Sequence, residues 1–563
     1  MLMRLRFLVS GMMSALTRRL QRNFYLYLAA LLSLGVLLDA GVFHIGENMR
    51  QKAFDFMVRN RVITSPPDPQ IVIVDVNEAS LSALAGEYGR WPWPRQVFGE
   101  FLENIAPQQP RAVVFDILFS DADLFNPDSD AYFNEVIAGS GNTFFPFLRL
   151  APEHDALSRV KPGMLPGISE LNPGQGDRNA TIAVVLPHFE AALASGRIGT
   201  HNIYPDGDGI VREYRLWGTD YGWKIPALPL TVAGALEAPQ PATQNVLLNW
   251  RGKPFSYRYV SFSDVYKDLT SKVKSRPPDE FRDKIVIIGS TAPSLFDLKA
   301  TAMAKTHPGV EILATAIDNV KHGDYLHTLR GAGSYLLISL LLIWLTAAAF
   351  FRNVDRDRFN KLFSATQIGL LAVSYIGINL TNTYIDFTGP VTWAIGYFSV
   401  AKVYAIANDR ALQRWLAFGV KPEGAGLRAW LMPVLLETPE PVGEATMKKL
   451  RGEVLALDPG ASVEILRGTQ AGVWGLFSDL LVITWICGAE DTERAAQLEH
   501  RAGILAQRLQ SLETIRRLPV AAVVRHRLHR GLLAADQPLA PQWRSLFAQA
   551  IIQLEHPELP ETR

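Results

Sequence analysis

Ile71-Val72-Ile73-Val74-Asp75 is a short β-branched run that closes on an acid. Such a run predicts a buried strand. It leads through Gly89-Arg90-Trp91-Pro92-Trp93-Pro94-Arg95 into a segment with Val97, Phe98, Phe101, Leu102 and Ile105 at helical spacing. A second apolar run follows, Ala112-Val113-Val114-Phe115-Asp116-Ile117-Leu118-Phe119. Strand, helix, strand in this order is a βαβ unit, which predicts parallel strands joined by a right-handed crossover. Working outward, strands are expected at Asn142–Phe147, Thr181–Leu186, Val211–Leu216, Val246–Trp250 and Lys284–Ile288. Helices are expected at Glu47–Arg61, Pro229–Leu236 and Val310–His322. The fold class is α/β with a mostly parallel central sheet. Both acids fall near the carboxyl edge, where such sheets bind ligands.

Arg90-Trp-Pro-Trp-Pro-Arg95 and Arg111–Ser120 resemble the extracytoplasmic sensor domain called CHASE, class 2. Asp206-Gly207-Asp208-Gly209-Ile210-Val211-Arg212 is similar to that family's mid-domain turn, and Lys284–Pro293 to its last core strand. Pro308–Ile312 with Ala316–Asn319 resembles its closing helix. The resemblance runs over roughly residues 44 to 407 and implies a sensor without naming its signal.

Fifty-six Lys and Arg against 55 Asp and Glu leave a formal charge of +1, so no nucleic-acid partner is expected. Cys487 is the single cysteine and excludes an intrachain disulfide framework. The domain between the first and second apolar runs must therefore be held by its core.

The basic N-terminus, residues 1–23, precedes an apolar run at 24–43, read as an uncleaved span with Asp39 near its outer end. Runs at 334–351, 363–381 and 390–407 are each close to the length needed to cross a bilayer. Arg352, Arg356, Arg358 and Lys361 fill the first connection between them, whereas Asn382–Gly389 has only Asp386. The positive-inside rule then predicts four transmembrane helices in an inner (plasma) membrane. It puts both termini in the cytoplasm, residues 44–333 outside and 408–563 inside.

Within 408–563 the expected order is strand Trp430–Leu436, helix Gly443–Leu457, strand Ala461–Leu466, a hairpin of Gly472–Trp474 with Leu480–Ile486, and helix Thr492–Leu512. That is an α+β, ferredoxin-like sequence of elements. Leu476–Trp485 and the helix after it resemble the hairpin of nucleotide cyclases. Cyclase chemistry clamps phosphate with two divalent ions, which needs two facing carboxylates. The resemblance puts one at Asp479 and leaves Glu437 for the other. The loop behind Glu437 holds Pro439 and Pro441, which lack the N–H groups that contact phosphate. The family's base-selecting lysine and later asparagine and arginine have no counterpart. The expectation is a degenerate cyclase-like domain with a vestigial metal site at Glu437 and Asp479, no catalytic residue, no bound metal and no cofactor. An active nucleotide cyclase and a structural envelope protein are the rival readings.

Asp75, Arg90, Arg95, Asp116 and Asp297 are the candidate signal-binding residues, with the two arginines as partners of the acids. The plainer alternative has Asp116 capping a helix or pairing with Arg111 inside the fold. Arg525, His526, Arg527, His529 and Arg530 form a basic cluster, more simply a solvated face than a phosphate site. Expected partners are an extracytoplasmic ligand or protein, the membrane, a cytoplasmic signalling protein and a second copy of the chain. The homodimer follows from apolar strands in the C-terminal domain that exceed what one helical layer covers.

Overall fold

The computed structural model describes residues 23–43, 46–295, 297–329, 332–352, 354, 356–416, 426–437, 442, 444–466, 480–518, 522–537 and 539–555. The chain divides into two compact units. One is Asp39–Leu336 with Ser364–Val391; the other is Met1–Leu38 with Leu337–Phe363 and Thr392–Arg563.

The first unit is built on six parallel strands: β1 Ile71–Asp75, β2 Ala112–Phe115, β3 Thr143–Arg149, β4 Ile198–Thr200, β5 Arg258–Ser261 and β6 Ile285–Gly289. Their order across the sheet is β5-β1-β6-β2-β3-β4. Every residue of β1, β2 and β6 is buried. Side chains alternate between two buried faces, which explains why these sequences are apolar up to the acid that ends β1. Val72, Val74, Val113, Phe115, Val286 and Ile288 face a core with Val97, Phe98 and Phe101 of helix Gln96–Ile105 and Phe262 and Val265 of helix Phe262–Thr270. Ile71, Ile73, Val114, Ile285 and Ile287 face a second core with Leu228, Val232, Val310, Leu313 and Ile317. Those five come from helices Leu228–Ala235 and Gly309–His322.

Three helices are long and apolar enough to cross a membrane among the described residues: Phe24–Phe43, Gly333–Phe351 and Asp357–Leu380. Helix Thr388–Leu416 is long, but Trp393, Tyr397, Lys402 and Tyr404 make it more polar, and it is not in that group. Asp39 is buried at the end of the first, where it accepts from the Tyr335 hydroxyl at 2.6 Å and the Gly46 N–H at 3.2 Å. His327–Leu329 pairs in parallel with Thr383–Ile385, tying the loop after Asp357–Leu380 to the α/β unit. Asn379 Oδ1 accepts from the Val62 and Ile63 N–H groups at 2.9 and 3.1 Å and adds to that tie.

The C-terminal domain has strands β7 Leu427–Glu437, β8 Ser462–Leu466, β9 Leu480–Gly488, β10 Val523–His526 and β11 His529–Leu533. All pair antiparallel in the order β8-β9-β7-β10, with β11 following β10 along β7. Helices Glu444–Leu457 and Thr492–Arg508 cover Trp430, Met432 and Val434 on one face. Of the two runs behind the homodimer expectation, Val473–Leu476 lies outside the described residues, and Leu480–Ile486 belongs to β9, whose other face carries a helix. Helix Leu539–Glu555 lays Trp543, Leu546, Phe547 and Ile551 over Ala429, Leu431, Leu480 and Val482. An apolar helix after the sheet satisfies in cis the surface assigned to a second copy.

Candidate functional site

The carboxyl edge of the parallel sheet gathers the acids. Asp75 ends β1 and accepts from the Thr291 N–H at 2.8 Å and its hydroxyl at 2.6 Å. Burial raises its pKa, and the Thr291 donors only partly offset that. Asp116 follows β2. Because β6 lies between β1 and β2, the two acids do not adjoin, and Asp116 instead lies over Gly289. A Cβ at Gly289 would come within 2.9 Å of the Asp116 Cβ, so this strand end must be glycine for the acid to sit there.

The partner of Asp116 is His201, just beyond β4, which sequence reading did not single out. His201 Nε2 stands 2.9 Å from Asp116 Oδ1, with the Asp116 side chain 1% exposed. The contact is a buried ion pair, while His201 Nδ1 is buried without a hydrogen-bond partner. The Tyr214 hydroxyl is likewise buried and unpartnered, and burial first and the charge of Asp116 second raise its pKa. Burial alone would lower the His201 pKa, but the charges of Asp116 and Asp297 outweigh it and the net shift is upward. Asp297 is raised by burial first and by Asp116 second. Its carboxylate rests on the start of helix Gly309–His322, where a Cβ on Gly309 would run into it. Lys299 Nζ stands 3.7 Å away.

Neither sequence-predicted arginine joins this group. Arg90 is exposed. Arg95 donates to the Trp93 carbonyl at 3.1 Å and lies over the Phe119 ring at 5.3 Å. Arg111, the other partner expected for Asp116, donates to the Leu236 carbonyl, 3.3 Å away. Of the cyclase-like pair, Glu437 closes β7 and Asp479 lies outside the described residues. In the basic cluster His529 is buried with Nδ1 2.7 Å from Gln553 Oε1, and Arg530 pairs with Glu499.

Asp297 opens a segment that leads away from the site. The Ala300 carbonyl accepts from Val211 N–H at 2.8 Å, and the Ala302 carbonyl accepts from Arg59 at 2.8 and 3.2 Å. Arg59 ends helix Glu47–Arg59. Arg212, beside Val211, forks onto Asp55 of the same helix at 2.7 and 2.8 Å and also holds Asp206 and Asp208. The mid-domain turn seen in the sequence is thus a clamp on this helix. A second acid–histidine group, Asp68, Asp318 and His322, already has its cations, because Arg251 forks onto Asp318 and Lys321 pairs with Asp68.

The first unit is thus a parallel α/β domain with a cluster of acids at the carboxyl edge of its sheet. The CHASE2 domain family model matches residues 28–350, more than half of the chain, and the chain belongs to that family. A sensor role comes with it. No curated protein and no solved structure matches the chain.

Proposed function

We propose that this chain is a multi-pass inner-membrane sensor. Its CHASE2 domain lies outside the membrane and reports to a C-terminal domain inside that has no cyclase activity. One observation carries the reading: residues 297–302 run without a break from the edge cluster to the Ala302–Arg59 hydrogen bonds on helix Glu47–Arg59. A ligand that moves Asp297 changes the hold on that helix, and a bistable hold is what a sensor needs. The sheet order β8-β9-β7-β10 supports a ferredoxin-like output domain, the scaffold cyclases share. Pro439 and Pro441 behind Glu437 argue against a phosphate-binding loop there.

Phosphatase fusions test the arrangement. Reporters near residues 240 and 385 are expected to be active, and those near 355 and after 420 silent. Activity after 420 with silence at 240 would reverse the topology and remove the sensor reading.

A further inference from the structure

Helix Glu47–Arg59 buries one side in the α/β unit and leaves another open. Phe54, Met57 and Val58 pack in a core that also holds Ile378 and Tyr384, with the Phe54 and Tyr384 rings 5.1 Å apart. Met49, Lys52 and Phe56 recur at helical spacing on the open side, and Val62 and Ile63 continue it past the helix end. Phe56 is 66% exposed and Val62 82%. Exposed apolar side chains gathered in one stretch mark an interaction surface.

Both ends of this helix are tied to the ends of apolar spans. At its start, Arg50 lies over the Tyr335 ring at 5.2 Å and stands 3.9 Å from Asp386. Tyr335 is in the first turn of span Gly333–Phe351, and Asp386 follows span Asp357–Leu380. Past the helix end, the Asn60 carbonyl accepts from the Tyr375 hydroxyl at 2.5 Å, and Arg61 donates to Asn382 Oδ1 at 2.9 Å. Asn379 Oδ1 holds the Val62 and Ile63 N–H groups. Tyr375 and Asn379 belong to the last two turns of span Asp357–Leu380, where Ile376 and Leu380 are exposed. Consecutive spans cross in opposite directions, so the start of one and the end of the next reach the same side of a membrane. A helix anchored to both lies along that surface.

We propose that helix Glu47–Arg59 and the loop to Ile63 rest in the surface of a phospholipid bilayer. Phe56, Val62 and Ile63 enter the acyl boundary, and Lys52 stays at the headgroups. Depth selects lipid as the occupant, because Val62 and Ile63 hang at the level of Ile376 and Leu380, which a span turns toward acyl chains. The same helix carries the holds from Ala302 and Arg212, so bilayer and sensor domain grip one element. The proposal rests on the reading of the apolar helices as membrane spans.

The test uses full-length Cys487→Ser protein carrying Phe56→Cys, Val62→Cys, Ile63→Cys or Phe125→Cys, one at a time. Phe125, 94% exposed in the loop after β2, is the comparison position. Each variant is labelled with the fluorophore NBD and reconstituted in phosphatidylcholine–phosphatidylglycerol vesicles containing lipid with a nitroxide on its acyl chain. Emission at residues 56, 62 and 63 is expected to be blue-shifted and quenched about twofold or more beyond that at residue 125. Quenching no stronger than at residue 125 overturns the proposal. Blue-shifted emission without quenching also overturns it, since that marks a protein, such as a second copy, over this face. Nitroxide lipid occupies both leaflets, so the readout does not depend on which side the domain faces. Protein that fails to float with the vesicles overturns the spans and the proposal together. Floated protein without the extra quenching overturns the proposal alone.

Discussion

Arg212 holds Asp55 with two hydrogen bonds, 2.7 and 2.8 Å long, and its side chain is 1% exposed. This joins the turn Asp206–Arg212 to the helix that follows the first apolar span. Asp206 and Asp208 complete a three-carboxylate ring around one guanidinium. Burial works against the charge of Arg212, but those carboxylates outweigh it and hold its pKa above the usual value.

Removing the arginine leaves three acids facing one another. Arg212→Ala is expected to cost about 3–5 kcal/mol, the scale for breaking a buried pair from one side. Asp55→Asn is expected to cost less, because Asp206 and Asp208 still hold the guanidinium. Chemical unfolding of the two variants checks the ranking, and equal costs would mean that the ring does not share its load.

The edge cluster makes a pH prediction. His201 has a folded-state pKa above its unfolded value of about 6.5. Its stabilisation is therefore complete below that pH and is lost as pH rises through the folded value. Asp75 and Asp297 are also raised, so each becomes a stabilising neutral group as pH falls. All three act in one direction, and the ligand-free domain gains stability on acidification from pH 8 to about pH 5. At lower pH the trend reverses. Asp155 and Asp318 are pushed up by burial but pulled further down by Arg149 and Arg251, and protonating them removes those pairs. His201→Gln is expected to flatten the rise between pH 8 and pH 6, read by hydrogen exchange around residues 116 and 201. An unchanged slope would assign it to other groups.

At Gly289 and Gly309, the two glycines beside the edge acids, a methyl group has no room. At Gly289 it meets Val310 Cγ2 at 2.6 Å and Asp116 Cβ at 2.9 Å, and at Gly309 it meets the Asp297 carboxylate. Gly289→Ala is expected to destabilise by about 1–3 kcal/mol through overpacking. Gly309→Ala displaces a half-exposed side chain and is expected to cost less than Gly289→Ala while disturbing Asp297. Denaturant midpoints for both variants, with the m-value held constant, decide the order.

The sheet core was legible because burial on both faces leaves β1, β2 and β6 as continuous apolar runs. β5 was not expected. It is an edge strand whose Arg258 is exposed and pairs with Glu280, so no apolar run announces it. Helix Phe262–Thr270 was missed with it. Asp75 and Asp116 were legible as acids at strand ends, whereas the place of Asp297 and the neighbours of all three were not. Proximity along the chain suggested Arg90 and Arg95, whereas strand order decides the neighbours. His201 follows a three-residue strand that carries almost no sequence signal, and only the pairing of β4 with β3 brings it to Asp116. In the C-terminal domain β7, β8 and β9 were legible, but β10 and β11, which hold most of the basic cluster, and the covering of the second face were not. The covering depends on where helix Leu539–Glu555 folds back, which periodicity does not encode.

That helix sets the last prediction. Trp543, Leu546, Phe547, Ala550, Ile551 and Leu554 are all buried against Ala429, Leu431, Leu480, Val482 and Leu533. The fit is close at Gly531, where an added Cβ would strike Leu546. Large-to-small changes at such positions cost about 3–5 kcal/mol for an aromatic, part of it from the cavity left behind. Trp543→Ala is therefore expected to loosen the helix, and stopping the chain after residue 538 removes it. The bared face, made of β7, β9 and β11, is apolar, so it is a surface that recruits another copy. In mild detergent the truncated protein is expected to shift to dimers or larger species relative to the intact chain, read by light scattering at matched concentration. If truncation leaves the mass distribution unchanged, the helix is not what keeps that face from association. Self-association of the intact chain through the same face would show that the helix yields to a second copy.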